Sequence, residues 1–254
     1  MIGKNNYFMT EDTHFQFVLQ NNHFCLFEQK QWSIDLSTPM GTEILIRVPD
    51  PHHENGYLST IEWIHFAEQQ PQIELLTLKI FEKLIRNVHK LDPSFSPYYI
   101  NVPPPVITRA FVDQIKLRLD QAGVPYSFIG IELTERLPVI DVNAFQLGAD
   151  ALQTLGISLA LDDYGQGYAT MHFLKDLKVD RVKVDRVLLA AAKNNHSERL
   201  TLLSLLDFAT EFNVEVIAEG IETEADYLFA CQLKCDGAQG YHIDLPKMLI
   251  PIDG

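Results

Sequence analysis

The chain has 254 residues, is 46% hydrophobic and 21% charged, and carries a formal net charge of -14. That length and balance suit one large domain with a full core. The negative charge excludes broad binding to nucleic acid or anionic membrane, because the long-range field repels polyanions, although local cations can still hold a small anionic ligand. No stretch approaches the roughly twenty apolar residues of a membrane span. Residues 1–13 lack the apolar core of a secretion signal. Cys25, Cys231 and Cys235 cannot pair completely, so a reducing, cytoplasmic compartment is expected.

Taken in chain order, short β-like runs alternate with helical stretches. The β pattern falls on residues 24–29, 42–48, 98–102, 128–133, 158–161, 181–184, 215–218 and 237–239. Helical periodicity falls on 73–91, 107–121, 144–155, 199–212 and 223–233. An alternating order of this length predicts an α/β fold, a closed (β/α)8 barrel rather than an open doubly wound sheet. One domain is expected over 14–254, after an N-terminal extension at 1–13.

A polar group stands at or near the end of seven of these runs: Glu43, Asn101, Glu132, Asp162, Lys183, Glu219 and Gln239. Only a closed ring of strands brings so many ends to one mouth. Asp162 and Asp163 close an apolar run and lead straight into Tyr164-Gly165-Gln166-Gly167-Tyr168. Two adjacent carboxylates after a buried strand are costly unless a cation takes their charge. Glu43, Glu132, Asp162, Asp163 and Glu219, with the carbonyl of Asn101, make an oxygen-rich set that selects Mg²⁺, Mn²⁺ or Ca²⁺ over zinc or copper. One divalent ion leaves much of that charge unneutralised. Two ions roughly 3.5–4 Å apart are the usual device for in-line displacement at phosphorus. Lys183 adds positive charge beside the water or the phosphate, and the tally points to a phosphoester hydrolase. Singly, each residue has a plainer reading. Asp163 can cap a helix, Lys183 and Asp185 can form a barrel-bottom salt bridge, Gln239 can be a satisfied buried amide, and Asn101 can serve a turn. Their recurrence at nearly every strand end is what favours a site.

These residues resemble the EAL-domain cyclic di-GMP phosphodiesterases. Gly41-Thr42-Glu43-Ile44-Leu45-Ile46-Arg47 is similar to the signature that names the family, with Ile44 where alanine is usual. Tyr99-Ile100-Asn101-Val102, Ile131-Glu132-Leu133-Thr134-Glu135, the Asp162-Asp163 loop, Lys183-Val184-Asp185, Ala218-Glu219-Gly220-Ile221-Glu222 and Gln239-Gly240-Tyr241 match further motifs in order, with Pro246 following. The resemblance implies a modified TIM barrel with one strand antiparallel, and hydrolysis of cyclic di-GMP to linear 5′-pGpG. The alternative is a catalytically weak receptor or a protein-interaction module. It also implies that Glu43, Asn101, Glu132 and Asp162 hold one Mg²⁺ or Mn²⁺, that Asp162, Asp163 and Glu219 serve a second, and that Ca²⁺ inhibits. Lys183 would contact the attacking water, Gln239 would orient it, and Glu135 would brace the loop after Asp163. Gln29, Ile44, Leu45, Arg47, Asp185, Glu222 and Pro246 would line the substrate, with Gln29 near a guanine edge and Arg47 forking onto a phosphate. By the same resemblance a homodimer would form through the region from Asp163 to Met171. That loop departs from the family pattern at Tyr164, Gln166 and Ala169-Thr170-Met171, as do Lys30 and Pro103 elsewhere.

Overall fold

The computed structural model of the protein describes residues 10–134, 139, 141–165 and 177–252. Glu135 and positions 166–171 of the loop after Asp163 lie outside the described residues.

The strands are β1 (Cys25–Ser33), β2 (Pro39–Arg47), β3 (Tyr98–Val102), β4 (Ile129–Thr134), β5 (Ser158–Tyr164), β6 (Arg181–Val184), β7 (Glu215–Ala218), β8 (Gly237–Ala238) and β9 (Lys247–Ile250). From β2 to β8 each strand lies parallel to the next in chain order. β1 closes the ring, antiparallel to both β2 and β8. β9 adds to β1 on the outside, through Leu26, Phe27 and Glu28. The expected closed barrel with one reversed strand is therefore present.

Local turn chemistry makes the reversal. Asp35 accepts hydrogen bonds from the hydroxyls of Ser33 and Ser37 and from the Ser37 amide, and Leu36 takes a left-handed φ of 58°. An aspartate that binds its own backbone two residues on mimics a turn, so the chain folds back from β1 into β2.

The described helices are α1 (Glu11–Asn21), α2 (Thr60–Glu68), α3 (Ile73–Arg86), α4 (Arg109–Ala122), α5 (Val142–Leu155), α6 (Arg186–Asn194), α7 (His196–Phe212) and α8 (Glu224–Leu233). Side chains of Thr10, Thr108, Asp141, Asp185, Asn195 and Thr223 accept the first free amides of their helices, which satisfies donors that lack an intrahelical partner. Strand side chains alternate between two faces. Ile44, Ile100, Ile131, Leu159, Val182 and Val216 are buried in the apolar layer that includes Phe81, Leu84, Phe111 and Ile115 of the helices. Their neighbours Glu43, Asn101, Glu132, Lys183 and Ile217 turn to the inner face.

The helix expected over 73–91 stops at Arg86, and a short 3₁₀ turn over Val88–Lys90 follows. β1 runs four residues past the expected end at Gln29, to Ser33. Helices α1, α2 and α6 and strand β9 were not anticipated. α1 buries Phe15, Val18 and Leu19 and crosses the expected boundary between residues 13 and 14.

One backbone position fixes the end of β8. Gly240 has φ 154°, and a Cβ there would lie 2.3 Å from both the amide nitrogen and the carbonyl oxygen of Ile221. Backbone atoms cannot swing aside as a flexible side chain can. Gly240→Ala is expected to cost about 2–4 kcal/mol and lower Tm measurably; an unchanged Tm would refute this reading of the junction.

Candidate active site

Glu43 sits near the middle of β2, where Asn101 Nδ2 donates to its Oε1 at 2.7 Å. Its Oε2 accepts from Gln239 Nε2 at 2.7 Å and from Lys183 Nζ at 3.2 Å. Donors from β3, β6 and the residue after β8 thus converge on one carboxylate, which fixes its rotamer. Lys183, fully buried on β6, also lies 2.8 Å from Glu132 Oε2, 2.9 Å from Asp162 Oδ1 and 2.6 Å from Glu219 Oε1. One ammonium is surrounded by four carboxylates.

Asp162 and Asp163 both belong to β5, where adjacent side chains would ordinarily face opposite ways. The β5–β6 register slips between Leu161 and Tyr164, and Asp163 takes a left-handed φ of 56°. That bulge re-aims Asp163, so Asp162, Asp163 and Glu219 bring oxygens within 4.8 Å of one another. Glu43, Glu132 and Asp162 form a second such triplet. Asp162 is common to both.

The electrostatics show a cluster short of positive charge. Burial pushes the Glu132 carboxyl up to about 8; Lys183 pulls against that, while Glu43 and Asp162 add to it. Burial, then the nearby Asp162, raises Glu219 well above the usual carboxylate range. Burial alone would lower Lys183, but Asp162, Glu132, Glu219 and Glu43 outweigh it and hold the ammonium well above its ordinary value. Two amide oxygens nearby, Asn101 Oδ1 and Gln239 Oε1, are buried without a hydrogen-bond partner among the described residues. Unpaired carbonyl oxygens among carboxylates fit a hard cation and offer nothing to a soft one. The residues present therefore suit a hard divalent cation.

The remaining expected site residues divide. Gln29 is buried at the mouth, where it donates to the Asp244 carbonyl at 2.8 Å and accepts from Gln239 at 3.2 Å. Leu45 and Arg47 line a cavity of about 260 Å³ that also touches Glu43, Asn101, Asp162, Asp163 and Glu219. Ile44 lines the same cavity and is also buried in the apolar core. Asp185 accepts the Val187 amide at 2.6 Å as the cap of α6, and Glu222 pairs with Arg186 at the surface. Pro246 lies half-buried just before β9, two residues past the Asp244 carbonyl that holds Gln29. Gln31, a polar residue on the inner face, was missed: its Nε2 donates to Glu132 Oε1 at 2.9 Å. Its spacing of two from Gln29 was the available signal, since residues two apart on a strand share a face.

A closed barrel with carboxylates, amides and one lysine converging on a single mouth has the chemistry to hold hard cations. The chain belongs to the EAL domain family, whose model matches residues 13–246. Among similar proteins, the cyclic di-GMP phosphodiesterase NbdA of Pseudomonas aeruginosa is 26% identical over 206 residues, covering 80% of this chain and 26% of that protein. The probable cyclic di-GMP phosphodiesterase PdeN of Escherichia coli is 29% identical over 217 residues, covering 84% of this chain and 41% of that one. This chain thus spans less than half the length of these curated relatives. The PaMucR phosphodiesterase, solved in complex with c-di-GMP, has the same fold, with a TM-score of 0.80 at 21% identity over 96% of this chain and 98% of that one. No described helix is long and apolar enough to cross a membrane.

Proposed function

We propose that this protein hydrolyses cyclic di-GMP to linear 5′-pGpG with two Mg²⁺ or Mn²⁺ ions. The observation that carries the reading is the pair of carboxylate triplets sharing Asp162 around the buried Lys183. Five carboxylates share the site with one ammonium, and two divalent cations would neutralise the excess. Glu43, Asn101, Glu132 and Asp162 would hold one ion, and Asp162, Asp163 and Glu219 the other. Such ions would supply polarisation of the phosphoryl oxygens and acidification of a water. Lys183 would contact the attacking water, and Gln239, held by Glu43 and Gln29, would orient it. Gln29 and Arg47 position the nucleotide, and Arg47 suits a phosphate because its planar fork meets two oxygens. Asp185 and Glu222, engaged by the α6 amide and by Arg186, shape the rim that the substrate crosses. A homodimer through the region of Asp163 and a cytoplasmic location belong to the same reading. So does inhibition by Ca²⁺, which is larger and less strict in geometry than Mg²⁺.

Cation binding is expected to depend on pH. In the metal-free fold Glu132 keeps its proton up to about pH 8, whereas the unfolded chain loses it near the ordinary 4.5. The folded state therefore binds more protons across that window, and the metal-free protein loses stability as pH rises through it. A cation must displace the same proton, so affinity climbs across the window and levels off above it. Mn²⁺ is expected to bind up to about tenfold more tightly per pH unit and to raise Tm more near pH 8 than near pH 6. A flat Kd over that range, read by calorimetry, would contradict the assignment of Glu132.

The function itself is tested with cyclic di-GMP and Mn²⁺ in ¹⁸O-labelled water. The expected product is a linear dinucleotide carrying the label on its terminal 5′-phosphate, because water attacks phosphorus and the 3′-oxygen leaves. Intact cyclic nucleotide after long incubation, with metal bound, would overturn hydrolysis and leave a receptor.

A further inference from the structure

Below the mouth, the barrel interior holds a second polar layer. Gln31 and Arg181 are buried, with relative exposures of 0% and 4%. Gln31 lies two residues along β1 from Gln29, and Arg181 two residues before Lys183 on β6. Arg181 Nη1 donates to Gln31 Oε1 at 2.5 Å, and Gln31 Nε2 donates to Glu132 Oε1 at 2.9 Å. The far side of the guanidinium donates to the Met40 carbonyl at 2.9 Å and to Glu215 Oε2 at 2.5 Å, and the group lies 5.0 Å from the centroid of the Tyr99 ring. Glu215 is half exposed at the start of β7. A continuous line of contacts thus runs from the open end of the barrel opposite the mouth, through Arg181 and Gln31, to Glu132.

The order of charges along this line fixes its direction. Arginine has only donors. The amide beside it must therefore turn its oxygen toward Arg181, which leaves its nitrogen toward Glu132. Arg181 is itself clamped by Glu215 and the Met40 carbonyl, so Gln31 cannot flip without leaving a buried cation short of an acceptor. The consequence falls on Glu132, which has one oxygen held by Gln31 and the other turned to the mouth, 2.8 Å from Lys183.

We propose that Gln31, locked by Arg181, is a positioning residue that holds Glu132 with a single oxygen presented to the cation site. The inference rests on the reading of Glu132 as a cation ligand. Partners behind a ligand commonly change metal affinity about 10–100-fold when removed.

The test is Mn²⁺ calorimetry, with kcat and KM for cyclic di-GMP, on wild type, Gln31→Met and Gln31→Glu. Methionine keeps the length and removes both polar ends. Glutamate keeps the size and still accepts from Arg181 but cannot donate to Glu132 when ionised. Both variants are expected to bind Mn²⁺ about tenfold or more weakly and to lose kcat by a similar factor, with KM moving only about two- to threefold. Gln31→Glu adds negative charge, which by attraction alone would tighten Mn²⁺, so weaker binding there reads lost orientation. It also serves as the informative variant should Gln31→Met fail to fold. Mn²⁺ affinity and kcat within about twofold of wild type in the folded variants, with only Tm lowered, would overturn the proposal and leave Gln31 as packing. Wild type that binds no Mn²⁺ would remove the cation reading of Glu132 and this inference with it.

Discussion

Glu43→Gln is expected to abolish turnover while leaving the barrel folded. The side chains have nearly the same shape, but Glu43 is where Asn101, Gln239 and Lys183 all donate. A carboxylate accepts from every one of them. A glutamine has one oxygen and an NH₂ group, and that NH₂ would confront a donor from β3 or from the end of β8. The variant loses one negative charge from the cation site and disorders the two amides that orient it. A loss on the order of 10³-fold in kcat, about 4 kcal/mol of transition-state stabilisation, is expected, with Mn²⁺ binding weakened in parallel. Steady-state kinetics beside calorimetry reads both. Substantial turnover with undisturbed metal binding would remove Glu43 from the site.

Lys183→Ala separates catalysis from cation binding. In the metal-free protein the ammonium supplies the positive charge among Glu43, Glu132, Asp162 and Glu219. Once it is gone the carboxylates repel one another without relief, so a divalent ion meets less opposition than before. Mn²⁺ affinity is therefore expected to hold or rise. Turnover is expected to fall on the order of 10²–10³-fold, the range seen when a preorganised charge is removed from a developing anion. The metal-free variant is also expected to melt lower than wild type, because removing one member of a buried charge cluster costs about 3–5 kcal/mol, and Mn²⁺ should restore much of that loss. Normal turnover would show that Lys183 only neutralises the cluster.

The parts of the site that were legible in the sequence share a feature: a charge embedded in an apolar run. Glu132 between Ile131 and Leu133, and Lys183 between Val182 and Val184, declare themselves because burial of such groups demands a partner. Their placement was less legible. Glu43 and Glu132 lie inside their strands rather than at the ends, since the polar cluster extends down into the barrel. The adjacency of Asp162 and Asp163 was plain, but strict alternation would have sent one of them outward. The bulge that turns both toward Glu219 depends on a left-handed backbone at an aspartate, which no pattern of apolar residues encodes. Motif likeness alone grouped Asp185 and Glu222 with the substrate, whereas their first duties here are a helix cap and a surface ion pair. Gln31 was passed over because Gln29-Lys30-Gln31 looks like the polar end of a strand. Its partner Arg181 is 150 residues away, and only closure of the ring brings the two together.

The same holds for the fold. The parallel strands β3 to β7 announce themselves as short apolar runs between helices, as strands buried on both faces should. β9, with Lys247 and Met248 exposed, buries too little to show a pattern and is held in place by β1.

The most direct test of this account is chromatography of cyclic di-GMP after incubation with the purified protein and Mn²⁺, beside Glu43→Gln at the same folded concentration. The account predicts linear 5′-pGpG from the wild type, none from the variant, and none from either once a chelator removes the metal. Intact cyclic di-GMP in the wild-type sample, with Mn²⁺ shown to be bound, would contradict it.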